Sequence, residues 1–276
     1  MQLVSKIVLL FIISQILGVF TGFIIFQDYA ENPYVSSLVV TTDSSNPANA
    51  FLFGLYVLIG AVVMIVLIKM FKLYDILFQV LEFFLIAAAS SIVFYSVIRL
   101  AAGYEISMIL GIILGLCMSG IRRLIPELKN VAAVLATAGV GVIFGISLAP
   151  LPAILFLIFL SVYDYVAVFI TKHMVDFANF IIKKDLAFTV TAKGVVEGKA
   201  RRIDLGTGDL IAPVIFEVSV LPLSPVATLF VFIGGLVSLA VFLFLVWKRK
   251  IVLPALPPLV FGMLLFFFLG MLLGFY

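Results

Sequence analysis

Charge is scarce in this chain. Asp, Glu, Lys and Arg make up 11% of its 276 residues, under half of the roughly 25% usual in soluble domains. Too few polar groups exist to cover a water-exposed surface, so a soluble fold is excluded and no nucleic-acid partner is expected. Cysteine is represented by Cys117 alone. No internal disulfide and no CxxC redox or metal pair can form, and the residue reads as a small buried hydrophobe. His173 has no companion histidine, which leaves it without a metal-binding partner set; no metal and no cofactor are expected. A cleavable leader is also missing from the pattern. The apolar run over 7–26 is too long for a signal-peptide core and no small-x-small site follows it, so it reads as a retained first helix.

What the chain has in abundance is apolar length. Hydrophobic residues reach 65%, against roughly 45–50% in soluble domains. A bilayer core of about 30 Å takes about 20 helical residues. Nine stretches meet or approach that length: 7–26, 50–68, 76–98, 104–120, 131–148, 151–171, 205–221, 226–246 and 254–275. None alternates with a period of two, and a spanning segment must satisfy its own backbone. The expected fold is therefore an all-α polytopic membrane protein with nine transmembrane helices. The seventh stretch is the most interrupted by polar residues. Small residues recur at four-residue spacing as Gly18 and Gly22, Gly111 and Gly115, and Gly141 and Gly145. They are read as close-packing positions between helices.

The bases orient the chain. If the connections alternate sides, sixteen of the 17 lysines and arginines fall on one side and only Arg99 on the other. Basic loops are cytoplasmic, which puts the N-terminus in the cytoplasm, the C-terminus outside, and the protein in the cell membrane as a multi-pass chain. The outer loop over 27–48, with Asp28, Glu31 and Asp43 and no base, reads as a solvated loop. The expected division is 1–171 with spans one to six, a cytoplasmic loop over 172–203, and 204–276 with spans seven to nine. In the loop, residues 173–182 read as a continuation of the sixth helix, and the β-branched stretch 187–206 around Gly194 and Gly198 as two short strands and a turn.

Four acids fall inside the spans: Glu82, Asp164, Asp209 and Glu217. An acid at the centre of a membrane helix costs about 2.5–3.5 kcal/mol on the lenient insertion scale, which marks such residues as functional candidates. The bases cluster near span ends, so no basic partner is expected for any of them. Glu82 and Glu217 read as neutral, hydrogen-bonded acids, with a role in substrate contact or cavity hydration as the alternative. Asp164 precedes Lys172 by eight residues and Asp209 follows Arg202 by seven. Both then sit about 10–12 Å inside the cytoplasmic edge, on consecutive spans. Two carboxyls that close cannot both ionise and share one proton. Such a dyad hydrolyses peptides without metal: the carboxylate takes a proton from the attacking water while the acid protonates the carbonyl oxygen. The roles belong to the pair rather than to either residue.

The surroundings suit that chemistry. Gly206, Thr207 and Gly208 precede Asp209, and glycines let the backbone loosen and another chain approach. Pro254, Pro257 and Pro258 interrupt the start of the ninth span. The backbone groups of Ala255 and Leu256 between them read as available to an extended substrate, and strand addition is expected near Val190 or Ile203.

Tyr163-Asp164 in SVYDYVAVF, Gly206-Thr207-Gly208-Asp209 in LGTGDLIAPVIF, and Pro254-Ala255-Leu256 in LPALP resemble the three motifs of the presenilin and signal peptide peptidase family, in the family order. The compact chain is most similar to the archaeal presenilin homologues. The resemblance implies an intramembrane aspartyl protease in which Asp164 and Asp209 are catalytic. It also implies that Tyr163, Gly206, Thr207, Gly208, Pro254, Ala255 and Leu256 shape the active site or bind substrate. The family often has Leu where this chain has Thr207, a departure that bears on substrate preference. The expected partners are a transmembrane protein or peptide substrate and the lipid bilayer; a homo-oligomer and partner subunits stay open. With the sixth loop cytoplasmic, as in presenilins, substrates with an outside N-terminus are favoured. Two other readings stay open from the residues: a prepilin-peptidase-type aspartyl protease, and a carboxylate-based ion or proton transporter or leak channel.

Overall fold

The computed structural model describes residues 2–70, 74–170, 185–196, 199–249 and 253–276. His173 and the expected helical extension over 173–182 lie outside these residues. Nine helices of 14 residues or more occur among them: α1 (Gln2–Asp28), α2 (Ala48–Met70), α3 (Tyr74–Arg99), α4 (Tyr104–Leu124), α5 (Lys129–Ser147), α6 (Pro150–Tyr165), α7 (Thr207–Val220), α8 (Pro225–Arg249) and α9 (Leu256–Leu272). Single helical turns at Pro33–Ser36 and Pro126–Leu128, a π-helical turn at Val166–Ile170 and one hairpin, β1 (Thr189–Val196) with β2 (Lys199–Gly206), complete the order among the described residues. The hairpin is the strand pair expected from the loop sequence. Six helical stretches are long and apolar enough to cross a membrane, and Ala48–Val63 of α2 and Leu256–Leu272 of α9 are apolar but shorter. The result is a mostly helical, multi-pass membrane architecture.

α7 is the hub. It packs against α1, α5, α6, α8 and α9, and ten of its 14 residues are buried. At about 1.5 Å per residue it is only about 21 Å long, so neighbouring helices rather than lipid must shield its ends. The small-residue pairs explain how the neighbours come so near. A Cβ added at Gly141 would lie 2.5 Å from Val214 Cγ1, at Gly145 2.6 Å from Val218 Cβ, and at Gly22 2.9 Å from Val218 Cγ2. Gly18 likewise closes on Val214. α1 and α5 thus grip one ridge of α7 from two sides, with no room for a side chain. Gly111 serves α4 in the same way, where a Cβ would meet Ser91 O of α3 at 2.8 Å.

On α4 polarity is inverted relative to a helix of a soluble bundle. On α4 the buried residues are Ser107, Gly111, Gly115, Ser119 and Arg122, while Ile109, Ile112, Ile113 and Leu116 are exposed. Cys117 is exposed on this helix, which corrects its reading as a buried hydrophobe. In lipid an apolar side chain gains little from facing inward, so apolar character alone does not report burial.

The reading of 27–48 as a solvated loop is corrected at Asp28. That residue is 5% exposed and accepts hydrogen bonds from Tyr95 Oη at 2.5 Å and Arg99 Nε at 2.9 Å. The Arg99 guanidinium lies 3.9 Å from the centre of the Tyr104 ring, and the Tyr104 hydroxyl donates to Glu31. The single base assigned to this side of the chain thus finds the acids of the adjoining loop and pins it to α3 and α4.

Candidate active site

Asp164 lies one residue before the end of α6, and the chain continues as a π-helical turn over Val166–Ile170. Such wide turns expose backbone and mark functional positions in helices. The Asp164 side chain is buried at 9% exposure. Its Oδ2 accepts the N–H of Leu256 at 3.3 Å, at the first residue of α9. One of the two backbone groups expected to be available to substrate is therefore already committed to the acid. The carbonyl of Ala255 is committed as well, to Leu259 N–H. Pro257 and Pro258 do not break α9; they occupy its first turn, where a missing N–H leaves no bond unmade. Pro254 and Ala255 are buried beside them.

Asp209 comes from the other direction. β2 runs to Gly206, and α7 starts at the next residue without a connecting loop. The junction is fixed by Phe188, whose C=O accepts both the Thr207 N–H at 3.0 Å and the Thr207 hydroxyl at 3.1 Å. The half-buried Asp209 carboxyl lies against the last residue of β2: a Cβ at Gly206 would sit 3.3 Å from Asp209 Oδ2. Beside Gly208 the space is open: nothing lies within 4 Å of where its Cβ would be. Pro213, inside α7, carries no N–H for the carbonyl four residues back, that of Asp209 itself. The helices that carry the two acids, α6 and α7, pack against each other and both against α9. Tyr163 is half-buried next to Asp164. The site thus joins the ends of α6, α7 and α9 and the end of the hairpin.

The hairpin has one covered edge. Thr191 N–H and C=O are both bonded by the Asn130 side chain, at 2.8 Å each, so they point away from β2. Pairing is antiparallel with Thr191 opposite Asp204. In such a ladder the groups of directly opposed residues point the same way relative to their partners and alternate along the strand. Val190 and Ile203 therefore direct their backbone groups into the hairpin, and the N–H and C=O of Asp204 face outward on the far edge, two residues before Gly206. Thr191 Oγ1 donates to Asp204 Oδ1 at 2.5 Å, the close side-chain approach of a pair not bonded through its backbone.

The remaining acids divide. Glu82 does have a basic partner, contrary to the expectation that none was available: its Oε1 is 3.4 Å from Arg122 Nη2. It also accepts the Ala187 N–H at 2.7 Å. Arg122 stands in the last turn of α4, and its long side chain reaches across to Glu82 of α3, which position in the sequence alone does not reveal. Glu217 is fully buried, and neither carboxyl oxygen has a hydrogen-bond partner among the described residues. Its expected hydrogen bond is therefore not found there. At the hairpin's entrance, burial by itself pushes the Asp185 carboxyl up, but the charge and hydrogen bond of Lys129, with Lys193 and Arg202 beyond, hold it below the usual range.

Comparison with known proteins identifies the family and the fold. A family model described as signal-peptide peptidase, presenilin aspartyl protease matches residues 8–275. Two similar solved structures are of a presenilin family intramembrane aspartate protease. One, in a C222 space group, is 25% identical, with 98% of each chain covered and a TM-score of 0.67. The other, in a P2 space group, is 27% identical, with 98% of this chain and 97% of that one covered and a TM-score of 0.68. No curated protein gives a significant match.

Proposed function

We propose, from the premise that the chain belongs to the signal-peptide peptidase and presenilin family of aspartyl proteases, that Asp164 and Asp209 are its catalytic pair. The protein is an intramembrane aspartic endopeptidase acting on membrane-protein substrates within the bilayer. The observation that carries the assignment is the placement of the two carboxyls at adjoining ends of packed elements: Asp164 accepts the Leu256 N–H at the start of α9, and Asp209 lies against Gly206 at the end of β2. Each acid stands where a regular helix is interrupted or begins. The pair shares one proton. The ionised member deprotonates a water that attacks the scissile carbonyl, the protonated member donates to the carbonyl oxygen, and collapse of the gem-diol expels the amine as the proton returns.

Tyr163, Gly206, Thr207, Gly208, Pro254, Ala255 and Leu256 shape this site. Open space beside Gly208 admits the substrate backbone, and the outward edge of Asp204 pairs with it as an added strand. This moves the docking position from Val190 and Ile203 to the far edge of β2. All nine helices span the membrane, with the N-terminus cytoplasmic, the C-terminus outside and the 172–203 loop cytoplasmic between two helical blocks, 1–171 and 204–276. This orientation in the cell membrane favours substrates whose N-terminus is outside.

Two measurements test the reading. Purified protein in detergent, given a single-span substrate tagged at its N-terminus, is expected to cut it within the span and to be blocked by a hydroxyl-bearing peptide isostere. Cutting only outside the span, or full activity in the presence of the isostere, counts against it. For the docking edge, with Asp204→Ala as the control for the carboxylate that Thr191 and Arg202 hold, Asp204→Pro removes an outward N–H that makes no ladder bond, as edge strands tolerate. Its kcat/KM is expected to fall about tenfold, while Lys193→Pro, on the covered edge, retains most of the activity. Equal turnover by both proline variants rejects the edge assignment.

A further inference from the structure

We infer that Glu82 is a positioning residue for cleavage: from α3 it fixes the entrance of the hairpin, and through the hairpin the start of α7 and the bond at which substrate is cut. The inference rests on Asp209 being half of the catalytic pair.

The route is short and fully bonded. Glu82 Oε1 takes the Ala187 N–H at 2.7 Å. The next residue, Phe188, holds Thr207 by its N–H and its hydroxyl, and Thr207 is two residues from Asp209. An acid on α3 thus reaches the catalytic strand-to-helix junction through one amide and one carbonyl. Around this point the chain is tied to three helices. Arg122 of α4 donates to the carbonyl of Asp185, Lys129 of α5 lies 3.2 Å from Asp185 Oδ1, and Asn130 brackets Thr191. Asp185 itself has φ +52°, a left-handed conformation uncommon for a residue other than glycine and one that persists where surroundings over-determine it.

Packing of α3 alone does not call for an acid here. Glu82 is 7% exposed in an apolar helix, where an apolar residue of similar size would avoid the desolvation of a charge. What the carboxylate supplies is a charge for Arg122 and an acceptor for Ala187 at once. Without it the Ala187 N–H loses this acceptor, the Phe188–Thr207 junction loosens, and the edge of β2 shifts against Asp209. Because strand register is discrete, the consequence is a change in where the substrate is cut as well as how fast.

The test compares wild type with Glu82→Gln, Glu82→Leu, Glu82→Leu/Arg122→Leu and Asp209→Asn, reading thermal midpoint, kcat, KM and the cut sites by intact mass of the products. Glu82→Gln keeps a carbonyl oxygen for Ala187 and is expected to hold one dominant cut, with kcat within about threefold of wild type. Glu82→Leu is expected to lose about tenfold or more in kcat with little change in KM, and to spread its products over neighbouring bonds. The double variant removes the stranded arginine charge together with the Arg122 bond to the Asp185 carbonyl, and is expected to regain most of the midpoint that Glu82→Leu loses while the spread of cuts persists. The inference is overturned if folded Glu82→Leu cuts at wild-type positions and rate, or if the double variant restores the single cut along with the midpoint. Inactive Asp209→Asn beside an unaffected Glu82→Leu rejects the role of Glu82 alone. Wild-type activity of Asp209→Asn rejects the catalytic pair itself, and with it the route by which Glu82 acts.

Discussion

Replacing Asp164 by Ala, or Asp209 by Ala, is expected to lower the rate of intramembrane cleavage at least about a thousandfold, the range that one acid–base group supplies. The reason is that neither carboxyl has a substitute. Asp164 is anchored by the Leu256 N–H at the start of α9, and Asp209 lies against Gly206 at the end of β2. The other two acids of the spans are placed elsewhere: Glu82 bonds Ala187 and Arg122, and Glu217 is fully buried two turns further along α7. Because the two carboxyls act as one unit through a shared proton, the double variant is expected to be no slower than either single one. Folding is expected to be unimpaired, since removing a buried acid from a membrane helix relieves a desolvation penalty. Product quantification with matched circular dichroism and thermal midpoints checks all three statements. Multiplying losses in the double variant would mean that the aspartates work independently.

The second large effect is expected at the grip on α7. Gly18→Ala and Gly141→Ala both push a methyl group into Val214. Overpacking of this kind costs about 1–3 kcal/mol, and a displacement of α7 carries Asp209 with it. A shift of about 1 Å at a catalytic group is enough for about a hundredfold loss of rate. The two variants should respond differently to a compensating change. At Gly18 the nearest atoms are the two Val214 methyl carbons, with Cβ at 3.3 Å, whereas at Gly141 the Val214 Cβ itself is at 2.6 Å. Val214→Ala removes the methyls and leaves Cβ. It is therefore expected to restore most activity to Gly18→Ala and little to Gly141→Ala, which needs Val214→Gly. Rates and midpoints of the singles and doubles decide this; equal rescue of both by Val214→Ala would show that the contact with Val214 is not what limits them.

Most of the helical order was legible from the chain, because lipid imposes long apolar runs and the runs are easily read. The hairpin was legible too, from β-branched residues and glycines between 187 and 206. The family motifs led to Asp164, Asp209 and Leu256. Reading failed where long side chains or backbone groups act across elements. Arg122 stands at a helix end yet reaches Glu82 of a neighbouring helix, and Arg99 likewise reaches Asp28. The Leu256 amide looked available since prolines flank it, but an amide at the start of a helix has no helical partner and a nearby carboxylate takes it. Which edge of the hairpin is open depends on Asn130, 61 residues from Thr191, and no local pattern carries that information. Cys117 was misplaced because apolar character signals burial in water and loses that meaning in lipid.

The affinity of a hydroxyl-bearing peptide isostere for wild type, Asp164→Asn and Asp209→Asn bears most directly on the shared site, because that hydroxyl occupies the place of the attacking water between the two carboxyls. Each single variant is expected to bind it at least about a hundredfold more weakly than wild type, as transition-state mimics lose the advantage that only the intact site supplies. Undiminished binding to either variant would contradict a catalytic centre made by Asp164 and Asp209 together.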